Sequence, residues 1–300
     1  MKKKYVFLGD IDSINIELVF KSYCYLKNNV KYILIGNIYD FTKYCNSLKS
    51  KIKINEINDP IRFKDYDTEA LNIFNIENVS KEKYKNLINQ INISNYLANL
   101  TKFDLVTLPI NKSIFKKKMQ FNGMTEYLAK INKTNTKMLM VGEKFSIIPL
   151  TTHVNLNSVR KVIKIDILKN LIKEILFQIQ RNIYNLNYNE IRFICYNPHC
   201  SENDTIGIED KVIIQSISRF KKISGPFAAD SAFKKLNSKL LFISTYHDQA
   251  LIPFKLLNQK GINFTLGLNY KRLSPAHGTA NDIKFKNIAN ISSYLACMKF

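Results

Sequence analysis

Two hydrophobic periods take turns along this chain. Short runs rich in Ile, Val, Phe and Tyr are consistent with strands, and longer stretches with apolar residues every three to four positions are consistent with helices. Strands are predicted at Lys4 to Leu8, Lys31 to Ile35, Asp104 to Leu108, Lys137 to Val141 and Lys144 to Leu150, and in the apolar runs that end at Pro198 and Tyr246. Helices are predicted at Ile14 to Leu26, Ile38 to Leu48, Lys81 to Leu100 and Asp166 to Ile183. In the last of these, Ile167, Leu168, Leu171, Ile172, Ile175 and Leu176 recur at helical spacing and define a core face. Glu209 to Phe220 and Asp230 to Leu236 complete the helical set, the second capped by Asp230. Lys51 to Ile54 is a further strand candidate, and Asp59-Pro60 opens a polar connection. Alternation of this kind predicts an α/β protein with mainly parallel sheets and helices on both faces. The basic run Lys116-Lys117-Lys118 and Asn122-Gly123 interrupt the periodicity, which marks a domain boundary near Phe115 to Gly123.

The strand pattern gives the histidines their interest. Three of the four, His153, His199 and His247, directly follow strand-like runs and precede helix-like patterns. Ligands of open α/β sheets bind outside the carboxyl ends of the strands, so three histidines there could converge on one crevice. Neutral imidazole is a common metal ligand, and three ligands with an open fourth position suit catalysis. Placement alone is equally consistent with three unrelated loop histidines.

Composition narrows the classes. With 300 residues, 46% of them hydrophobic, the chain can bury one large core or two modest ones. Five cysteines without a C-x-x-C pair argue against a disulfide framework or zinc knuckle and fit a reducing compartment, so a cytoplasmic location is expected. The apolar stretch after Met1-Lys2-Lys3-Lys4 is too short for a signal peptide, and no run approaches a membrane span. A net charge of +21 raises the alternative of a basic RNA-binding protein. The lysines are nevertheless scattered through the whole chain, and no RNA-binding aromatic signature, zinc finger or KH loop is visible, so no specific nucleic-acid partner is expected. Only nine glycines are present and none forms G-x-G-x-x-G after a strand, which leaves the residues of any dinucleotide site unknown.

Longer strings are more specific. Tyr246-His247-Asp248-Gln249, Pro253-Phe254-Lys255, Gly261 to Leu268, Arg272 and His277-Gly278-Thr279-Ala280 closely resemble the C-terminal signature of the 4-hydroxythreonine-4-phosphate dehydrogenase family. Upstream, Thr107-Leu108-Pro109-Ile110-Asn111-Lys112 resembles that family's T-G-P-x-x-K, and Thr151-Thr152-His153 its T-T-H. Asn197-Pro198-His199 with Glu202 resembles N-P-H-x-x-E, and Gly225 to Asp230 resembles G-P-x-x-A-D. The blocks occur in family order and cover most of the chain after Asp104.

The resemblance implies an enzyme of pyridoxal phosphate biosynthesis with a fold like isocitrate and isopropylmalate dehydrogenases. Two α/β domains are expected, 1–118 with 256–300 and 119–255, the second holding the metal site and the interface of a homodimer with shared active sites. It implies His153, His199 and His247 as ligands of one divalent metal (zinc, magnesium or cobalt), with His247 coming from the second subunit. It places substrate contacts on Thr125, Lys255, Asn263 and Arg272, and catalytic roles on Lys255 and Asp248. Lys and Arg suit a phosphate and a carboxylate. Asp248 and Asp230 either orient the site or cap helices, and His277 either lines a cofactor site or starts a helix. The implied reaction is oxidation of a phosphorylated hydroxy amino acid by NAD or NADP, followed by loss of CO2.

Departures accompany the matches. The family's G-H-T-E reads Gly123-Met124-Thr125-Glu126, which replaces a histidine by a thioether. The acidic residue before H-G-T-A is Ala276, the glycine of T-G-P is Leu108, and G-E-P-x-G-I-G-P survives only as Gly9-Asp10-Ile11-Asp12-Ser13-Ile14-Asn15-Ile16. These changes leave three readings: a drifted orthologue, a dehydrogenase for another phosphorylated hydroxy acid, or an inactive paralogue.

Overall fold

The computed structural model describes residues 2–47 and 52–300, which divide into two compact units. The first comprises Met1–Thr136 with Leu268–Phe300, the second Lys137–Gly267. In chain order the first unit holds β1 (Lys3–Phe7), α1 (Asn15–Leu26), β2 (Lys31–Gly36), α2 (Ile38–Ser47), β3 (Ile54–Glu56), β4 (Leu71–Asn75), α3 (Lys83–Thr101), β5 (Asp104–Thr107) and α4 (Met124–Ile131). The second holds β6 (Lys137–Val141), β7 (Ser146–Pro149), α5 (Leu156–Val159), α6 (Ile165–Ile179), β8 (Glu190–Ile194), α7 (Glu209–Ile217), β9 (Ile223–Phe227), β10 (Leu240–Ser244), α8 (His247–Leu257) and β11 (Ile262–Leu266). The chain then returns to the first unit with β12 (Arg272–Pro275) and α9 (Ser292–Lys299).

In the first unit the strands run in the order β3-β4-β2-β1-β5-β12, and every pairing is parallel. β1 lies inside because Tyr5, Val6 and Phe7 bury apolar side chains on both faces, as a parallel strand covered by helices requires. Tyr5, Phe7, Ile33, Ile35 and Leu105 from the sheet pack with Leu87, Ile91, Leu97 and Ala98 of α3. Lys4 of the same strand is fully buried, and its ammonium is paired with Asp104 at 2.8 Å. In the second unit the order is β11-β6-β7-β10-β8-β9; β11-β6 and β6-β7 are antiparallel, the others parallel. Its core is aromatic: the Phe145 ring lies 5.3 Å from those of Phe233 and Phe242 and 5.8 Å from that of Phe254.

Several differences from the sequence expectations have local causes. The units divide at Thr136/Lys137 and Gly267/Leu268, whereas the expected divisions fell after residues 118 and 255. α4 belongs to the first unit because Leu128, Met124, Tyr127 and Ile131 pack on that unit's core, and β11 belongs to the second because it pairs with β6. Asp230 to Leu236 is a series of turns, not a capped helix. Only Ser231 and Ala232 donate back to Ala228, and Phe233 is held between the Phe145 and Phe242 rings before a second turn can form. Leu48, at the end of the second expected helix, and Lys51, at the start of the Lys51 to Ile54 strand, lie outside the described residues; the strand observed nearby is β3. β4 escaped the pattern because Asn72 occupies a buried position. Its amide donates to Asp67 O and Ala70 O and accepts from Asp67 N, so the buried polar group is satisfied. β9 contains Gly225-Pro226, which an edge strand tolerates.

At the β1/β5 strand ends one glycine is indispensable. Gly9 has φ +68°, and a Cβ there would lie 2.5 Å from Pro109 O and 2.7 Å from Leu108 O. Asn15 completes the junction, its amide donating to Leu8 O (2.9 Å) and Pro109 O (2.8 Å). Gly9→Ala is therefore expected to destabilise the protein by more than the ~1–3 kcal/mol of backbone strain alone, because the new methyl also displaces the Pro109 carbonyl. Urea denaturation of the two proteins measures this, and an unchanged midpoint would refute it.

Candidate active site

The second unit brings the three strand-end histidines to one edge. β7, β10 and β8 are neighbours and parallel, so the segments carrying His153, His247 and His199 all leave the same side of the sheet. The His153 and His247 rings lie 5.8 Å apart between centroids within one chain. Two imidazoles on one tetrahedral zinc stand at roughly 5 Å by the same measure, given Zn–N bonds of about 2.0–2.1 Å, so this pair fits a shared ion. His199 has other neighbours. Its Nδ1 is 2.7 Å from Glu202 Oε1 and its Nε2 is 3.8 Å from Asp230 Oδ2. The hydrogen bond to Glu202, then the charges of Glu202 and Asp230, push the His199 pKa upward. Among the described residues no group of three or more His, Cys, Asp or Glu side chains is arranged to hold a metal ion. One chain therefore presents a pair of imidazoles and a separate third.

Carboxylates orient two of these rings. Asp248 Oδ1 lies 2.7 Å from His247 Nδ1, as Glu202 does at His199, which leaves each Nε2 as the outward nitrogen. Asp248 and Asp230 are exposed and neither caps a helix through its side chain, so of the two readings the geometry favours orientation. Gln249 binds the loops together: its Oε1 accepts from Thr245 N and Oγ1, and its Nε2 donates to Cys195 O at 2.7 Å.

The loop after β8 has a buried anchor that sequence reading missed. Asp210, 1% exposed, accepts from Tyr196 N (2.7 Å), Asn197 N (3.0 Å) and Ser201 Oγ (2.7 Å). Glu209 accepts from Asn197 Nδ2 at 2.9 Å and pairs with Arg160 at 2.6 Å. Gly207 lies against them, and a Cβ there would push on the Glu209 carboxylate and lie 2.9 Å from Asn197 Nδ2. Held in this way, His199 to Asp204 all adopt positive φ, between 43° and 69°. Asn, Asp and His visit that region more readily than most residues, but Cys, Ser and Glu are strained there. The only sequence signal was an acidic pair at the start of a predicted helix, which reads as ordinary helix-dipole compensation.

Thr125 and Arg272 lie in the first unit, Lys255 and Asn263 in the second. Arg272 is buried and donates through Nε to Thr107 Oγ1 (2.9 Å) and through Nη1 to Thr125 Oγ1 (3.3 Å). Burial pushes its guanidinium pKa down to about 10. Met124 packs on the apolar core of its unit. Lys255 is exposed in the last turn of α8, and the buried Asn263 Oδ1 has no hydrogen-bond partner among the described residues. His277 starts no helix; its Nδ1 contacts Gly278 O, and turns follow until α9. No helix among the described residues is long and apolar enough to cross a membrane.

Residues 28–300 match the family described as pyridoxal phosphate biosynthetic protein PdxA. The chain is 35% identical to the 4-hydroxythreonine-4-phosphate dehydrogenase of Campylobacter fetus subsp. fetus, covering 98% of this chain and 95% of that one. It is 32% identical to the enzyme of the same name from Hydrogenobaculum sp., covering 95% and 94%. The crystal structure of the 4-hydroxythreonine-4-phosphate dehydrogenase from Klebsiella pneumoniae superposes with a TM-score of 0.80 at 22% identity, over 100% of this chain and 98% of that one, and shares its fold.

The Glu209 anchor makes a pH-dependent prediction. Its pKa is lowered, first by the hydrogen bond from Asn197, with Arg160 also contributing. A lowered folded-state pKa contributes stability above the ordinary carboxylate range and loses it as pH falls through the lowered value. Glu209→Gln is expected to cost about 1–3 kcal/mol at neutral pH and progressively less below about pH 4. Urea titrations across this range check it; a difference that grows on acidification would be the wrong sign.

Proposed function

We propose that this chain, which belongs to the PdxA family of pyridoxal phosphate biosynthetic proteins, oxidises and decarboxylates 4-phosphohydroxy-L-threonine with NAD or NADP, giving 3-amino-2-oxopropyl phosphate, CO2 and the reduced nucleotide. The observation that supports this most is the delivery of His153, His199 and His247 to one edge of a parallel sheet, in a chain that matches dehydrogenases of that name along nearly its full length.

His153, His199 and His247 would hold one divalent ion, zinc, magnesium or cobalt, in a site completed across a homodimer. Side chains beside the histidine loops favour that dimer: Val154, Leu156, Ile206, Ile208, Ile252 and Leu256 are all exposed, and apolar surface of this kind marks protein contacts. When bound, the metal supplies Lewis acidity toward the substrate hydroxyl and the charge that develops on loss of CO2. NAD or NADP, when bound, would supply the hydride acceptor. Asp248 and Glu202 hold His247 and His199 in the tautomer that presents Nε2. Arg272, fixed by Thr107 and Thr125, and the exposed ammonium of Lys255 bind the anionic groups of the substrate, while Asn263 supplies a buried acceptor that has no partner among the described residues. The protein works in the cytoplasm.

A second reading, a different phosphorylated hydroxy acid as substrate, is favoured by Met124, whose thioether stands where the family pattern has histidine and packs on the core.

Purified protein with 4-phosphohydroxy-L-threonine and NAD should form NADH, lose that activity on chelation and regain it on adding zinc or cobalt. Lys255→Ala should lower kcat/KM by at least about tenfold, the loss of a charge-assisted contact. No turnover together with RNA retention that falls steeply with salt would support a basic RNA-binding protein instead.

Met124→His separates the two substrate readings. In a drifted orthologue it should raise kcat/KM for the phosphorylated threonine several-fold, from a contact of about 0.5–1.5 kcal/mol. In an enzyme retuned to another hydroxy acid, the threonine substrate stays poor and the true one suffers. Unchanged kinetics on both would mean that position 124 does not face substrate.

A further inference from the structure

His199 to Asp204 are six consecutive residues with φ between 43° and 69°, a left-handed turn that contains no glycine. L-residues pay a steric cost in that region, because Cβ crowds the following carbonyl oxygen, and runs of them are rare for that reason. Such a turn persists only where its surroundings hold it.

Asp210 is placed to do so. It lies in the first turn of α7, a helix seated in the core through the fully buried Ile213, and is itself 1% exposed. Its carboxylate turns back toward the preceding loop. Oδ1 accepts from Tyr196 N at 2.7 Å, and Oδ2 accepts from Asn197 N at 3.0 Å and from Ser201 Oγ at 2.7 Å. Two of these donors precede His199 and one follows it, so one buried anion brackets the histidine. Ser201 is fully buried as well, and its hydroxyl accepts from Asn197 Nδ2 at 2.9 Å, which ties the two arms of the loop together. Hydrogen bonds to a charged acceptor are stronger than neutral ones. The His199 ring is bonded by Glu202, whereas Asp210 acts on the backbone that presents the ring.

We propose that Asp210 is a positioning residue for metal binding: it holds the left-handed turn, and so keeps His199 where its Nε2 can join the ion, without being a ligand itself. The role rests on His199 being a metal ligand, as proposed above. A ligand that is in place only part of the time lowers the apparent affinity by that fraction. Loosening the turn therefore weakens the metal even with all three histidines present.

The test uses tag-free, full-length protein and Co2+ as the probe. Asp210→Asn keeps the size of the side chain but sets an NH2 group against donors of the loop, and should weaken Co2+ binding in calorimetry by about tenfold or more. In the metal-free protein the same change should move the ring Cε1–H NMR signal of His199, assigned through His199→Gln, and leave that of His277 in place. Adding Cys200→Gly, which gives one residue of the turn free access to positive φ, should restore part of the lost affinity. Asp104→Asn removes the partner of the buried Lys4 in the other unit, so it controls for lost stability alone and should leave both readouts unchanged. A His199 signal that stays in place in Asp210→Asn overturns the proposal, as does Co2+ affinity equal to the parent's or an equal loss in Asp104→Asn. A parent protein that binds no Co2+ overturns the metal reading itself, and the His199 signal, which needs no metal, tells that failure apart from failure of the Asp210 role. If Asp210→Asn does not fold, Ser201→Ala removes one of the bonds to Asp210 and should move the same signal, with a several-fold loss of Co2+ affinity.

Discussion

Parallel pairing of β7, β10 and β8 is the constraint on which the candidate active site depends. Parallel strands leave a sheet on the same side, so three segments distant in sequence must emerge together. The aromatic cluster of Phe145, Phe233, Phe242 and Phe254 holds that arrangement from beneath. Phe145, Phe242 and Phe254 are fully buried, each contributing about 1.5–3 kcal/mol, so the strand ends rest on a buried aromatic layer. Gln249 then joins the β10 and β8 ends by hydrogen bonds, so the rigid sheet and not the loops sets where the histidines start.

Beyond the strand ends, polar anchors replace the conformational freedom of glycine. The loop around His199 has serine, asparagine and aspartate in left-handed backbone, and Asp210 offsets the strain by accepting three hydrogen bonds from it. The first turn shows the same exchange. Ser13 and Asn15 stand in positions the family pattern gives to glycine, Ser13 Oγ donates to Asp10 O, and the Asn15 amide ties the ends of β1 and β5. Gly9 alone could not be exchanged, because its Cβ would meet backbone oxygens that cannot move aside.

Burial also sorts the charges of this strongly basic chain. Lys4 is enclosed with Asp104, and Arg272 is enclosed with hydroxyl partners and a lowered pKa, so each buried cation has a defined set of acceptors. Lys255 stays exposed in the last turn of α8, with no ion pair among the described residues.

The sequence by itself determined the α/β class, the parallel strands ahead of the three histidines, and the family, because local period and contiguous motifs survive without knowledge of contacts. β4 and the turns after Asp230 were not legible. A satisfied buried asparagine broke the period in one, and a phenylalanine claimed by distant rings stopped the helix in the other. Only the tertiary structure could divide the units, since α4 and β11 follow the cores they pack on and not the breaks in the pattern. Only it could show that His153 and His247 approach each other while His199 turns to Glu202 and Asp230, and that Asp210 anchors the loop that carries His199. Side-chain direction and partner choice are set by contacts across the sheet, and no local pattern of residues encodes them.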